Sequence, residues 1–431
     1  MNTLAQKLND DIKNSNPYVF ELLSNLGKSL YYPKGIISQG TEASKKAFRF
    51  NATIGIATEE QVPMHFSHIH KTLNGYDPSD IYPYAPPAGK ISLREEWKKK
   101  LYRDNPSLQS KVFGLPITTN ALTHGLSLIA DMFVEDGDSI ILPDKHWDNY
   151  QFIFGVRRGG QLKTHKLFNE EGKFNINSFK EVLLKQRVSG KAIVLLNFPN
   201  NPTGYTPYPN EVESIISVLT DAANTGINIA VVLDDAYYGL FYDDSTKESL
   251  FGRLANLHPR ILPIKVDGAT KENYVWGLRV GFLTFAADSQ EILHALEQKT
   301  LGMIRGTISS SSHLSQTIIL RSLQSNEFEM EKKQKYEIMK NRAIKVRAIL
   351  EKRSSKLWSY YPFNSGYFMC LKLLNVDAEQ LRVHLLEQYG VGTIAINSTD
   401  LRVAFSCVEE EELEELFNLI EKGINDLLKQ L

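Results

Sequence analysis

Cysteine is almost absent: Cys370 and Cys407 are the only two in 431 residues, and both fall in apolar, strand-like segments. So few thiols exclude a disulfide framework or a cysteine-rich metal centre and fit reduced core residues of a cytoplasmic protein. An excess of charge of either sign is also missing. Lys and Arg number 49 against 50 Asp and Glu, a net charge of -1, which leaves no electrostatic footprint for a nucleic-acid partner. No apolar run is long enough to span a bilayer, and the polar residues 1–16 lack the apolar centre of a signal peptide, so no membrane partner is expected. Internal repeats and low-complexity stretches are absent too.

What is present is an alternation of apolar strands and helical patterns in a chain long enough for two or three domains. SIILPD, QLKTHKL, KAIVLLNF, INIAVVLDDA and ILPIKV are near-continuous apolar runs, with helical periodicity between most of them. That pattern predicts a mostly parallel sheet covered by helices on both faces, which binds ligands beyond the carboxyl ends of its strands. A C-terminal α+β segment follows, with strands GYFMCLKL and LRVAFS and a last helix burying Leu413, Leu416, Phe417, Ile420, Ile424 and Leu427.

The central stretch is 260–285. An apolar strand, Ile261 to Val266, runs into a small-residue turn that delivers Lys271, and Arg279 stands at the entrance of the next strand, Val280 to Phe285. A lysine held there, partly desolvated and near a cation, has a lowered pKa, and its free amine can form a Schiff base with an aldehyde.

Other strand ends carry unusual residues. Trp147 stands in a polar loop after SIILPD, Asn201 follows KAIVLLNF in Pro199–Gly204, and Asp234 and Tyr237 follow INIAVVL. An acid in that position equally suits the cap of a following helix. In TTNALTHGLSLIADMF a short polar turn feeds a helix, and the backbone N–H groups at that helix start, with the Thr123 hydroxyl, can hold a phosphate.

Nearer the start, residues 1–50 are expected to form a helical arm with a basic loop, and Asn51 to Thr58 a short strand whose Gly55 admits a close neighbour. His65, His68 and His70 are expected at the surface, with no metal site. Ser92 and Glu95 are expected to form a capping box. The charges of the helix Glu327 to Arg353 are expected to make a solvated face.

Asn-Pro-Thr-Gly at 201–204, Asp-Asp-Ala-Tyr at 234–237, Lys271 with Arg279 eight residues later, and Leu-Arg-Val-Ala-Phe-Ser at 401–406 occur in one order. In that order and spacing the chain resembles the class I/II aminotransferases of pyridoxal-phosphate fold type I, from about Asn51 onward. The resemblance implies an α/β fold: a mostly parallel, seven-stranded-type large domain at 81–327 and a smaller α+β domain at 328–431. Residues 1–80 would form the arm and the first part of the small domain.

It further implies pyridoxal 5'-phosphate as cofactor, with Lys271 as the Schiff-base lysine, Asp234 on the ring nitrogen, and Asn201 and Tyr237 on the ring oxygen. Trp147 would stack on the ring. Ala121, Leu122, Thr123, Gly268 and Arg279 would surround the phosphate, and Tyr84 would reach the phosphate of a second subunit, so that a homodimer shares its active sites. Arg402 would bind the substrate α-carboxylate, with Ile54, Gly55, Trp147 and Asn201 around it. Arg305 resembles the arginine that dicarboxylate-specific members send across the dimer, although aromatic aminotransferases keep it too. The implied reaction moves an amino group between an L-amino acid and a 2-oxo acid; a β-lyase or decarboxylase on the same fold is the alternative. Two departures stand out: Ala121-Leu122-Thr123-His124 replaces smaller residues at the phosphate turn, and Gly268 stands where a serine is common.

Overall fold

A computed structural model describes residues 2–32, 35–353 and 357–429. Seven strands build the main sheet: β1 (Ile117–Asn120), β2 (Ser139–Pro143), β3 (Gln161–His165), β4 (Lys191–Asn197), β5 (Asn228–Asp234), β6 (Ile261–Gly268) and β7 (Val280–Phe285). Their order is β1-β7-β6-β5-β4-β2-β3. Only β7 runs against its neighbours, so the sheet is mostly parallel, as the continuous apolar runs predicted. Interior positions of β4 and β5 such as Val194, Leu195, Val231 and Val232 are fully buried, which requires cover on both faces.

The register brings one edge of the sheet together. Asn197 pairs with Asp234, and Asp234 with Val266. Gly281 pairs with Gly268 and Val280 with Asn120. The carboxyl ends of β1, β4, β5 and β6 therefore lie side by side with the start of β7, and the residues singled out around 121, 201, 234, 271 and 279 emerge at that edge.

Helix α1 (Ile36–Lys46) packs on the C-terminal sheet, where Gln39 exchanges hydrogen bonds with Ala395 through its side-chain amide. That sheet has the order β8 (Trp358–Tyr360), β9 (Phe368–Leu373), β11 (Asp400–Ala404), β10 (Ile394–Ala395). Helix α2 (Ile91–Asp104) and helix α3 (Ala121–Phe133) flank the main sheet, and α4 (Phe328–Lys352) is the long helix. Among the described residues no helix is long and apolar enough to cross a membrane.

Four local expectations are corrected. Helix α2 begins at Ile91 with Lys90 as its N-cap and no side-chain cap; the Lys90 N–H instead donates to Gln316 Oε1 at 2.8 Å. The expected N-cap Ser92 thus lies inside the helix, two residues past the actual N-cap. The strand expected at 51–58 pairs only at its ends, Phe50–Asn51 with Val391–Gly392 and Thr58–Glu59 with Val62–Pro63, because the middle bends to pass the site. His68 is buried between Glu331 and Ser322, each 2.9 Å from a ring nitrogen, and Glu327 brings a third possible ligand group within 4.8 Å; helix packing joined groups that sequence spacing kept apart. The long helix is not solvated all along its charged positions: Arg342 is fully buried, donating to the carbonyls of Thr58 and Ser406 at 2.7 Å each and to Glu409.

Candidate active site

A cavity of about 270 Å³ opens at the shared strand edge, walled by Ile54, Gly55, Leu122, Thr123, Trp147, Asn201, Asp234, Tyr237, Lys271, Arg279 and Arg402. Eleven expected residues thus meet in one place.

One end is built from two left-handed residues. Ala121 (φ 61) opens α3, and Arg279 (φ 54) precedes β7. The Ala121 N–H donates to the Arg279 carbonyl at 3.0 Å, which ties the turns together. A non-glycine residue in this conformation costs roughly 1–2 kcal/mol, and such strain persists only where the surroundings enforce it. Gly281 is part of that enforcement: a Cβ there would lie 2.7 Å from the Ala121 carbonyl carbon. The first turn of α3, carrying Thr123, and the Arg279 guanidinium consequently face one space, a fitting place for an anion. Arg279 makes no ion pair among the described residues, and loss of solvent lowers its pKa. Two more donors on this wall, Thr270 Oγ1 and Trp276 Nε1, are buried without a hydrogen-bond partner. Ala121 and Gly268 contribute backbone rather than cavity surface. A Cβ on Gly268 would sit 2.6 Å from the Val280 carbonyl oxygen, so the close approach of β7 leaves no room for a serine there.

Lys271 lies in a single-turn helix, Ala269–Glu272, at the end of β6; the expected irregular turn is this helix. Its amine is 5.0 Å from the centroid of the Tyr237 ring and makes no hydrogen bond or ion pair among the described residues. Part of the side chain faces the cavity, yet burial lowers its pKa to about 8, with Asp234 opposing the shift and Arg279 adding to it.

Asp234 ends β5 and is almost completely buried. Burial raises its pKa, while the Tyr150 hydroxyl and Lys271 pull it back. Tyr150 donates to Oδ2 at 2.6 Å, and the Ala236 N–H reaches Oδ1 at 3.2 Å; a turn rather than a helix follows, so Asp234 caps no helix and its carboxylate faces the cavity. Tyr237 lies on the same wall, where a Cβ on Gly55 would meet its hydroxyl at 3.4 Å, an ordinary contact rather than the close approach expected of that glycine. Trp147 packs edge-on against Tyr150 at 5.5 Å.

Arg402, on β11, is fully buried. It donates to Asn201 Oδ1 at 2.9 Å and the Thr53 carbonyl at 2.8 Å, lies 4.2 Å over the Phe368 ring, and keeps Nε unpartnered. No carboxylate pairs with it among the described residues, and burial lowers its pKa. A desolvated guanidinium in such a state calls for an anionic ligand.

Tyr84 and Arg305 stay outside this cavity. Tyr84 is 95% exposed, and Arg305 is exposed near the end of helix Gln290–Thr307, bonded to Ser309. Sequence reasoning missed Ile36, Ile56, Tyr150, Asn197, Ala236, Thr270, Trp276 and Phe368, all on the cavity wall. For Tyr150 a signal existed, since it follows Trp147 by three residues in the same strand-end loop.

Residues 65–420 match the family model for aminotransferase class I and II. The chain is 25% identical over 352 residues to the aspartate aminotransferase of Pyrococcus horikoshii, covering 79% of this chain and 83% of that one. To the aspartate/prephenate aminotransferase of Thermus thermophilus it is 29% identical over 219 residues, 49% of this chain and 50% of that one. The chain likewise spans about half the length of several other curated aspartate aminotransferases it matches. Its fold superposes on an aminotransferase from Anaerococcus prevotii with a TM-score of 0.82 and 24% identity, covering 92% of this chain and 97% of that structure.

Proposed function

This chain belongs to the aminotransferase class I and II family, and from that premise we propose that it transfers an amino group between an L-amino acid and a 2-oxo acid with pyridoxal 5'-phosphate as cofactor. The observation that carries the proposal is one cavity holding an unpaired lysine of lowered pKa, a buried acid, and two arginines without acidic partners.

The wall fits the cofactor. The unpartnered donors of Thr270 and Trp276, with Thr123, Arg279 and the start of α3, would hold its phosphate. Asp234 would hold its ring nitrogen, Asn201 and Tyr237 its ring oxygen, and Trp147 would lie against its face. When bound there, the cofactor supplies an aldehyde for the lysine and a ring that takes up the electron pair left at the substrate Cα.

The chain's own groups divide the remaining work. Arg402 receives the substrate α-carboxylate on a planar pair of N–H donors, fixing the orientation of Cα. Lys271 Nζ, poised near neutrality, takes the Cα proton as general base. Asp234, kept ionised by Tyr150, holds a proton on its partner nitrogen. Buried Phe368 gives these groups an apolar wall, with Ile54 and Ile56 at the cavity's edge.

We also propose a homodimer in the cytoplasm. Tyr84 and Arg305, presented outward, would complete the site of a second copy, and Arg305 leaves dicarboxylic and aromatic substrates both open. Residues 1–80 we assign to the arm and first part of the small domain, 81–327 to the cofactor domain and 328–431 to the rest of the small domain. Incubation with a panel of amino acids and 2-oxo acids tests the reaction: turnover should require the oxo acid and release neither ammonia nor carbon dioxide. Release of either would favour the β-lyase or decarboxylase alternative.

A further inference from the structure

We infer that Asn197, to which no role has been given above, is the positioning residue that locks the acid side of this cavity to its carboxylate-binding side; the inference rests on the function just proposed.

Asn197 is the last residue of β4 and forms the final rung with Asp234. Beyond that rung the two chains part, one toward Asn201 and the other toward Tyr237, and their backbone groups need new partners in a buried place. A single amide supplies two of them. Asn197 Nδ2 donates to the Asp234 carbonyl, and Asn197 Oδ1 accepts from the Asn201 N–H, each at 2.8 Å. These partners fix the amide's orientation: a carbonyl demands the NH₂ end and an N–H demands the oxygen. The residue is 3% exposed, so both bonds are made largely out of contact with bulk water.

The brace extends further through Asn201. Its Oδ1 accepts from Arg402 at 2.9 Å, which turns its Nδ2 away from the guanidinium and leaves it available to the cavity. A continuous line of hydrogen bonds thus runs from Tyr150 through Asp234, Asn197 and Asn201 to Arg402. The group acting on the cofactor ring and the group gripping the substrate are held in one frame by a residue that need not touch the reacting atoms. Two variants separate the halves of the brace. Asn197→Asp keeps the acceptor for the Asn201 N–H and loses the donor to Asp234; Asn197→Leu, of similar size, loses both.

Purified wild-type protein and both variants are compared by steady-state kinetics, by spectral titration of cofactor-free protein with pyridoxal 5'-phosphate, and by circular dichroism. Removing buried hydrogen bonds of this kind costs enough for about a tenfold change or more. Asn197→Asp should lower kcat by about that factor with KM for the amino donor changed by less than about threefold. Asn197→Leu should lower kcat, raise that KM by about tenfold, and weaken cofactor binding. If both variants match wild type in kcat, KM and cofactor affinity, or if their only change is a lower melting temperature, the inference is overturned. Should Asn197→Leu fail to fold, the kcat-against-KM split of Asn197→Asp still decides. A wild-type protein that neither binds the cofactor nor transaminates would instead overturn the function on which the inference rests.

Discussion

Tyr150 donates a 2.6 Å hydrogen bond to Asp234 Oδ2 with both groups enclosed by protein. Burial and the neighbouring carboxylate raise the phenol's pKa far above its ordinary value, so Tyr150 stays a donor and stabilises Asp234 in its ionised form.

Tyr150→Phe should therefore destabilise the cofactor-free protein by about 1–3 kcal/mol near neutral pH. The folded pKa of Asp234 is raised above its ordinary value, so its protonated form favours the fold; that stabilisation is full below about 4 and is lost as pH rises through the folded value. The variant raises that folded value further. Its deficit relative to wild type, read from thermal melts, should thus be larger at about pH 7.5 than at about pH 5.

Lys271 shows the opposite linkage. Its folded pKa of about 8 lies below the ordinary 10.5, so carrying the charge costs stability below about 8, and the cost disappears as pH rises toward 10.5. Lys271→Met in the cofactor-free protein should accordingly raise stability near pH 7, by at most about 3 kcal/mol, with the gain shrinking from about pH 8 and nearly gone by about pH 10.5. Urea unfolding at both pH values measures it.

Arg402→Lys keeps the charge but loses the planar fork and the contact over Phe368. KM for the amino donor should rise by about tenfold or more, while the affinity for pyridoxal 5'-phosphate, read by spectral titration, should change little because the phosphate is assigned to the far end of the cavity.

Arg342→Leu tests the frame rather than the chemistry. The substitution leaves the Thr58 and Ser406 carbonyls and Glu409 without their shared cation. A loss of about 3–5 kcal/mol in urea unfolding is expected.

These residues also mark how far the sequence could be read. The strands were legible because burial on both faces leaves an unbroken apolar run, and Lys271, Asp234 and Arg402 were legible because their spacing matches a family pattern. Asn197 was hidden, since no local pattern announces a hydrogen bond to the backbone of another strand, and the place of Tyr150 near Trp147 gave a signal for the site but not for its partner, the Asp234 carboxylate, far away in sequence. Arg342 and His68 were misread for a related reason. A polar side chain looks solvated until a second segment closes over it, here the strand end at Thr58 over Arg342 and the start of α4 over His68. The failed capping box at Ser92 shows the same limit locally: a tertiary contact from Gln316 satisfied the helix start two residues earlier. Gly268 looked only like a departure from a common serine, whereas the approach of β7 leaves no space for any side chain.

The most direct test of the central claim is the absorbance of purified protein mixed with pyridoxal 5'-phosphate while amino acids are added, for wild type and Lys271→Ala side by side. A yellow band that forms in the wild type, is bleached by amino donors, is restored by a 2-oxo acid and is missing in the variant is the predicted result. A wild type without the band, or a variant in which it forms and responds unchanged, would contradict the assignment of Lys271.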